Sequence, residues 1–360
     1  MKQGLYILIL ILTFVACEEI YNPKIDEVDD MLVVEAILRV DQQFNSIKLY
    51  RSRGFNATDE SYPRVSGATV FLTDDEGGTL NFAESTAGIY ITNELLNPNR
   101  IYTLHINLDG KQYISEAQEV PITPVIDTVY GERDYRVSVR GAANTADDIV
   151  KEYGIQILAD INDQETLNHY RFYGRKVIQY MDTYDTVIMG MPETRPIYIW
   201  RSVYPSGIFN IAGPPSYSAS RDISKHPLEF FEDDYFKYMP DTLSFMGWIY
   251  LIDEFGINEN SYNYYNDLNQ QLGTEGRIFD PVYVQLQGNM YCDSDPSKLV
   301  LGNFEITTRS EYRYFLYYTR KREEFWLRKI PYFYDIPERG YIKDDRPDFW
   351  EQISRTYPDE

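Results

Sequence analysis

Residues 68–84 read ATVFLTDDEGGTLNFAE. A β-branched and apolar run, 68–72, is followed by Asp74-Asp75-Glu76-Gly77-Gly78 and by a second run ending in Phe82-Ala83. Two strand-forming runs around a turn of Asp and Gly make a β-hairpin, because Gly takes positive φ without a Cβ clash and short acids bond to nearby backbone. The pattern extends in both directions. LVVEAILRV (32–40) and SIKLYRS (46–52) come before it. GIYIT (88–92) and YTLHINLDGKQYISEAQEV (102–120) come after it, the latter turning back at Asp109-Gly110. Short strands at this density predict an all-β chain whose first unit, 31–122, is an immunoglobulin-like or transthyretin-like β-sandwich. Pro121 and Pro124, with no periodicity between them, mark a linker.

A larger β-rich, sandwich-like domain is expected over 125–360. YGIQILADI (153–161), HYRFYGRKVIQYM (169–181), MGWIYLIDEF (246–255), KLVLGNFEIT (298–307) and EYRYFLYYTRK (311–321) all read as strands. One short helix is predicted over Ser261–Leu272, where Tyr264, Leu268 and Leu272 recur every four residues and Gly273 stops the pattern. The stretch 182–245 holds MPETRP, YPSG and AGPPSYSAS without a sustained period, and reads as long loops on a sandwich rim.

The N-terminus reads MKQGLYILILILTFVAC, with Lys2 its only charge. The apolar run Leu5–Val15 is too short for a membrane span, which needs about 20 residues, and fits the core of a secretory signal. It ends in Phe14-Val15-Ala16-Cys17, which resembles the bacterial lipobox except that Phe14 stands in place of the usual Leu. That resemblance implies a signal peptide over 1–16, cleavage before Cys17, and acylation of Cys17, so that membrane lipid is the first partner. An ordinary signal peptide that happens to end near a Cys is the alternative. Residues 18–30, EEIYNPKIDEVDD, carry six acids against Lys24 and read as an extended tether. Two acids directly after the cysteine resemble the surface-export signal of Bacteroidetes lipoproteins. The expected location is therefore the outer membrane, lipid-anchored, facing the exterior.

Composition narrows the function. The chain has 360 residues with 34 Lys+Arg against 56 Asp+Glu, a formal charge of −22, or −23 once Lys2 is removed. Such acidity argues against nucleic acid, since neutralising phosphates needs clustered Lys and Arg. Two cysteines make neither a disulfide framework nor a Cys-rich zinc site. With Cys17 taken by lipid, Cys292 has no partner. No phosphate-cradling loop, nucleophile elbow or metalloprotease helix is present, so no catalytic residue, cofactor or metal is assigned. His105, His169 and His226 are scattered, and Asp160, Asn162, Asp163 and Glu165 lack the spacing of a calcium loop.

The order of several segments is similar to the DUF4249 lipoproteins of Bacteroidetes. VSGATVFLTDDEGG, GIY, NRIYTLHINLDGKQY and VPITPVIDTV match in sequence; SYNYYNDLNQQLG with FDPVYVQLQGN (261–289), VLGNFEI (300–306) and RPDFW (346–350) follow in the same order. Many members carry a Cys pair before the final Pro-Asp-Phe-Trp, whereas 331–345 here has none. The resemblance implies a companion of TonB-dependent outer-membrane receptors.

The main functional lead is aromatic. The chain holds 33 Tyr, and residues 309–329 carry seven basic and three acidic side chains, against the overall charge. Tyr and Arg are enriched at recognition surfaces, so Tyr262, Tyr264, Tyr265, Arg313, Tyr317 and Arg320 are interface candidates, with core packing as the alternative for the rings. Asp-Thr-apolar triplets at Thr128, Thr186 and Thr242 resemble a Bacteroidetes O-glycosylation signal. The expectation is a non-catalytic accessory subunit of an outer-membrane β-barrel complex, a TonB-dependent transporter, with a nutrient as candidate ligand. A structural subunit of an assembly or secretion machine and a cell-surface glycan or peptide hydrolase are the alternatives.

Overall fold

The computed structural model describes residues 31–53, 62–139, 149–162, 168–205, 209–213, 222–232, 244–273, 286, 288–319 and 324–329. The segments expected to be signal peptide and tether, Cys17 between them, and the RPDFW ending lie outside them. The N-terminal strands are β1 (Leu32–Arg39), β2 (Asn45–Arg51), β3 (Thr69–Asp74), β4 (Thr79–Thr86), β5 (Ile89–Thr92), β6 (Ile101–Leu108), β7 (Lys111–Ser115) and β8 (Gln118–Glu119). They are followed by β9 (Thr128–Val139), β10 (Ile149–Asn162), β11 (His169–Ile188), β12 (Met191–Val203), β13 (Asn210–Ala212), β14 (Asp222–Glu232) and β15 (Ser244–Ile257). After them come helix α1 (Glu259–Leu272), β16 (Met290–Cys292), β17 (Val300–Thr319) and β18 (Glu324–Lys329). The described chain is thus all-β with one short helix.

The N-terminal strands follow the sequence closely. In β1, Leu32, Val34, Ala36 and Leu38 point inward and are buried, as a half-buried strand requires. The β3–β4 hairpin pairs Val70 with Phe82 and Leu72 with Leu80. Its turn is held by Asp74, whose Oδ1 accepts the N–H of Glu76 (3.0 Å) and of Gly78 (2.6 Å). Between β6 and β7, Asp109 and Gly110 both take positive φ, 50° and 73°, the geometry that lets a tight turn match strand twist.

A large mixed sheet runs β12-β11-β15-β17-β1-β2-β5-β4-β3-β6-β7-β16. Its second half curls around one core that includes Leu38, Leu49, Leu72, Tyr90, Leu104 and Ile106. That core is completed by residues from the far end of the chain: Met290, Cys292, Val300, Phe304 and Ile306. The unit read as 31–122 therefore incorporates β16 and the first half of β17, which pairs in parallel with β1, Leu32 opposite Val300 through Arg39 opposite Thr307. A parallel pairing between such distant segments has no turn to announce it.

The curl closes at two Gly-Asn pairs. Gly302 has φ +94°, and a Cβ there would lie 1.9 Å from the Val34 carbonyl oxygen; one on Gly288 would lie 1.6 Å from that of Gly302. Only glycine permits backbones this close. Asn289 and Asn303 are buried beside them. Asn303 Nδ2 donates to Ser261 Oγ at 3.0 Å, fastening the first turn of α1 to β17.

The second core lies between a three-stranded sheet, β14-β10-β9, and β11, β15 and β17. Ile155, Ile157 and Ile161 face Tyr170, Phe172, Tyr250, Ile252 and Tyr312 across it. The linker at 121–127 is laid against β17: Ile126 N–H donates to Tyr312 Oη (2.6 Å), Thr308 Oγ1 to Ile122 O (3.0 Å) and Ser310 Oγ to Pro124 O (2.5 Å).

Three expectations are corrected. The strands read at 298–307 and 311–321 are one continuous strand, β17. Much of 182–245 is strand rather than loop: β11 runs to Ile188, turns back into β12, and β13 and β14 follow. Pro192 and Pro196 sit on β12, at the end of the sheet path, where a missing N–H costs little. The helix exists, but its buried residues are Ser261, Tyr262 and Tyr265, while Leu272 is exposed. Its inward stripe follows the 3.6-residue period and lies beside the four-residue series read from the sequence.

Candidate interaction surface

The aromatic candidates on α1 face inward. Tyr262 and Tyr265 are buried with Ile257, and Tyr264 packs partly against them. For Tyr262 and Tyr265 the choice between core and interface therefore falls on core. Tyr265 meets Phe209 with ring centroids 4.7 Å apart. Beneath it, Arg171 donates from Nη2 to Glu305 Oε1 at 3.0 Å, and its guanidinium lies 4.4 Å from the Phe255 ring and 5.2 Å from that of Tyr265. Burial together with the Glu305 carboxylate holds the Tyr265 phenol well above its ordinary pKa.

Arg313 is likewise buried, with Nη2 2.5 Å from Glu311 Oε2. Arg309 donates from Nε to Asp253 Oδ1 (2.9 Å) and also binds Glu311. The basic surplus read in this part of the sequence is thus drawn, over 309–313, into a half-buried lattice of ion pairs on one face of β11, β15 and β17. Backbone of Tyr317 pairs with Trp326; its side chain and all of Arg320 lie outside the described residues.

The remaining titratable groups are dispersed. His105 Nε2 is 2.9 Å from Thr73 Oγ1 and its ring stacks on Phe71. His169 packs against Tyr262, and His226 Nε2 meets Asn210 Oδ1 at 2.6 Å. Burial lowers the His226 pKa to about 4, so this imidazole is neutral at ordinary pH. Cys292 is a buried free thiol. Asp160 Oδ1 accepts the Lys225 N–H (2.7 Å) and the Tyr130 hydroxyl (3.2 Å), while Asp163 and Glu165 lie outside the described residues. Among the described residues no group of three or more His, Cys, Asp or Glu is placed to hold a metal ion. Of the glycosylation candidates, Thr128 is exposed at the start of β9. Thr186 pairs with Glu193 through its backbone in β11, and Thr242 lies outside the described residues.

An exposed apolar face appears where the sequence reading placed none. β9 and β10 pair with Tyr135 opposite Tyr153 and Val137 opposite Lys151. Alternation puts Tyr135, Val137, Ile149 and Tyr153 on one side of this ribbon, and each is between 45% and 58% exposed. This is the side whose Ile155 and Ile157 enter the second core. The strands outrun the sheet that covers them, so the core face continues into solvent. Tyr135 and Tyr153 touch with centroids 5.8 Å apart, and Lys151 Nζ lies 4.3 Å above the Tyr135 ring. The period-2 series Tyr135, Val137, Val139 was the available signal; its charged neighbours Glu132, Arg133, Asp134 and Arg136 masked it.

Fold and surface together define a β-sheet protein with one curled sheet, a second small sheet, a set of ion pairs on β15 and β17, and an uncovered aromatic-aliphatic ribbon. The chain belongs to the family described as Domain of unknown function (DUF4249), whose match spans residues 18–313. Nothing among the curated proteins or the solved structures matches it.

Proposed function

We propose that the protein is a surface-exposed outer-membrane lipoprotein that acts as a non-catalytic accessory subunit, docking on an outer-membrane β-barrel, a TonB-dependent nutrient transporter. The observation that carries this reading is the uncovered face of β9 and β10. An apolar patch of Tyr135, Val137, Ile149 and Tyr153 on a chain of net charge −22 is costly to leave in water, and patches of this kind mark protein contacts. Tyrosine is among the residues most enriched there. The lipobox-like Phe14-Val15-Ala16-Cys17 supports the membrane address, and the acidic segment 18–30 supports a tethered body.

The test is gentle detergent extraction and affinity purification of the full chain and of a Tyr135→Glu/Tyr153→Glu variant. A heat-modifiable β-barrel protein should accompany the former and be lost from the latter, with both chains folded. Recovery of the unmodified chain as a monomer without a barrel would sink the reading. Cys17→Ala should release a soluble, unacylated product.

A further inference from the structure

The β11–β12 hairpin carries a second apolar feature of different shape. β11 has 20 residues, a rod about 65 Å long at ~3.3 Å per residue. At its end the chain reads Val187-Ile188-Met189-Gly190-Met191-Pro192, with no charge and no side-chain donor. Ile188 pairs with Met191 and Val187 with Pro192, so Met189 and Gly190 form a two-residue turn. Val187 is 68% exposed, Met189 97% and Met191 71%.

The turn residues are informative. Met189 has φ +52° and Gly190 φ +81°. Such turns favour Asn, Asp or Gly at the first position, because other side chains are strained there. A methionine accepts that strain at this position and gains no packing within the chain. Its side chain, flexible and polarizable, suits contact with a soft or variable apolar surroundings.

The distribution of apolar groups selects the occupant. Val187 and Pro192 lie on one face of the ribbon, Ile188 and Met191 on the other, and Met189 at the apex. A protein groove contacts one face of a ribbon; an apolar medium surrounds it. The boundary is also sharp. One step down, Thr186 pairs with Glu193 and Asp185 with Thr194, whose Oγ1 donates to Asp185 Oδ1 at 2.6 Å. The apolar cap is about three residues deep, ~10 Å, which matches the depth at which apolar groups enter a bilayer surface. Hairpin pairing satisfies the backbone within the cap, as a lipid surrounding requires. β1 runs parallel to β17 and hence to β11, so its first residue lies at the end of the sheet away from the tip. The residues from Cys17 to β1 span at most about 50 Å when extended, so both contacts form with the ribbon lying obliquely to the bilayer.

We infer that the tip Val187–Pro192 inserts into the acyl-glycerol region of a lipid bilayer, giving the body a second membrane contact beside its N-terminus. The choice of lipid rests on the membrane-anchoring part of the proposed function. Because the cap carries no charge, insertion needs no anionic lipid and is insensitive to salt.

The test uses the full chain with Met189→Cys, labelled with an environment-sensitive fluorophore; Cys292 is buried and the chain without the substitution serves as the labelling blank. A label at Asp134→Cys, exposed on β9, is the control. Both are mixed with phosphatidylcholine vesicles with and without a nitroxide on the acyl chains. Flotation of the whole chain reports anchoring, and the label reports the tip. The expected result is a blue-shifted emission at position 189, quenched by the nitroxide lipid and unchanged in high salt, with no response at 134. Unshifted emission at 189 in floating chains overturns insertion while leaving the anchor intact. Unshifted emission in chains that do not float overturns both. A blue shift that the nitroxide lipid does not quench assigns the tip to a protein contact and also overturns the inference.

Discussion

The side chain of Asn289 pairs with the backbone of Phe304 as a strand would, its Nδ2 donating to the Phe304 carbonyl at 2.7 Å and its Oδ1 accepting the Phe304 N–H at 2.8 Å. The residue ahead of β16 thus closes the curled sheet back onto β17 through one amide. Both bonds are buried, so losing them leaves a backbone donor and acceptor without water. Asn289→Ala is expected to lower stability by about 2–6 kcal/mol, at about 1–3 kcal/mol for each stranded group. Asn289→Asp, which replaces the donor with an acceptor facing a carbonyl, should be at least as damaging at neutral pH. Urea unfolding of the two variants checks this; an Asp variant as stable as the wild type would refute the pairing.

A second prediction concerns the parallel seam beside that amide. Gly302 has positive φ, and a Cβ there would overlap the Val34 carbonyl. Gly302→Ala combines left-handed strain of about 1–3 kcal/mol with a backbone clash that only movement of β1 relieves. The variant should unfold several degrees lower or accumulate as inclusion bodies. Gly110→Ala, at positive φ but with open space around its Cβ, should carry the strain alone and be the milder of the two.

The buried pair Arg171–Glu305 gives a third. Glu305 is fully buried and Arg171 nearly so. Glu305→Ala strands a guanidinium between Phe255 and Tyr265 and should cost about 3–5 kcal/mol, whereas Arg171→Met with Glu305→Leu should recover most of that loss. A double-mutant cycle in denaturant measures the coupling. Losses that simply add, the double variant costing the sum of the two single ones, would show that the pair does not act as a unit.

These particulars separate what the sequence displays from what it conceals. The β3–β4 hairpin and the Asp109-Gly110 turn are local: alternation and positive-φ residues specify them within a dozen positions, and both form as read. The β1–β17 pairing joins residues more than 250 positions apart and carries no local mark. The motifs Gly288-Asn289 and Gly302-Asn303 are visible as words in the chain, but only the three-dimensional approach of two backbones explains why each needs a glycine followed by an amide. The burial of Tyr262 and Tyr265 escapes the sequence for a similar reason. Tyr262 and Tyr265 look the same in sequence as Tyr135 and Tyr153; what differs is whether another element covers them. Strands that outrun their covering sheet, such as the ends of β9 and β10, keep a core-like alternation in solvent.

The last prediction is a pH dependence. Glu254 on β15 is fully buried, between the in-register residues Phe172 and Ser310, and neither carboxyl oxygen has a hydrogen-bond partner among the described residues. Burial raises its pKa to about 8, with the nearby Asp127 carboxylate adding to the rise. The folded chain therefore holds a proton that the unfolded chain releases at an ordinary carboxylate pKa. The sign follows from that difference. Between about pH 5 and 8 the folded state binds more protons, so stability falls as pH rises, by up to about 1.4 kcal/mol per pH unit, and levels off above the folded pKa. Glu254→Gln, which stays neutral, should remove this slope and be more stable than the wild type at pH 8 while differing little at pH 5. Urea midpoints for both chains across this range measure the effect after the other titrating groups cancel in the comparison. Parallel pH profiles would mean that Glu254 is ionised in the folded protein and that a charge, rather than a proton, is accommodated between the two sheets.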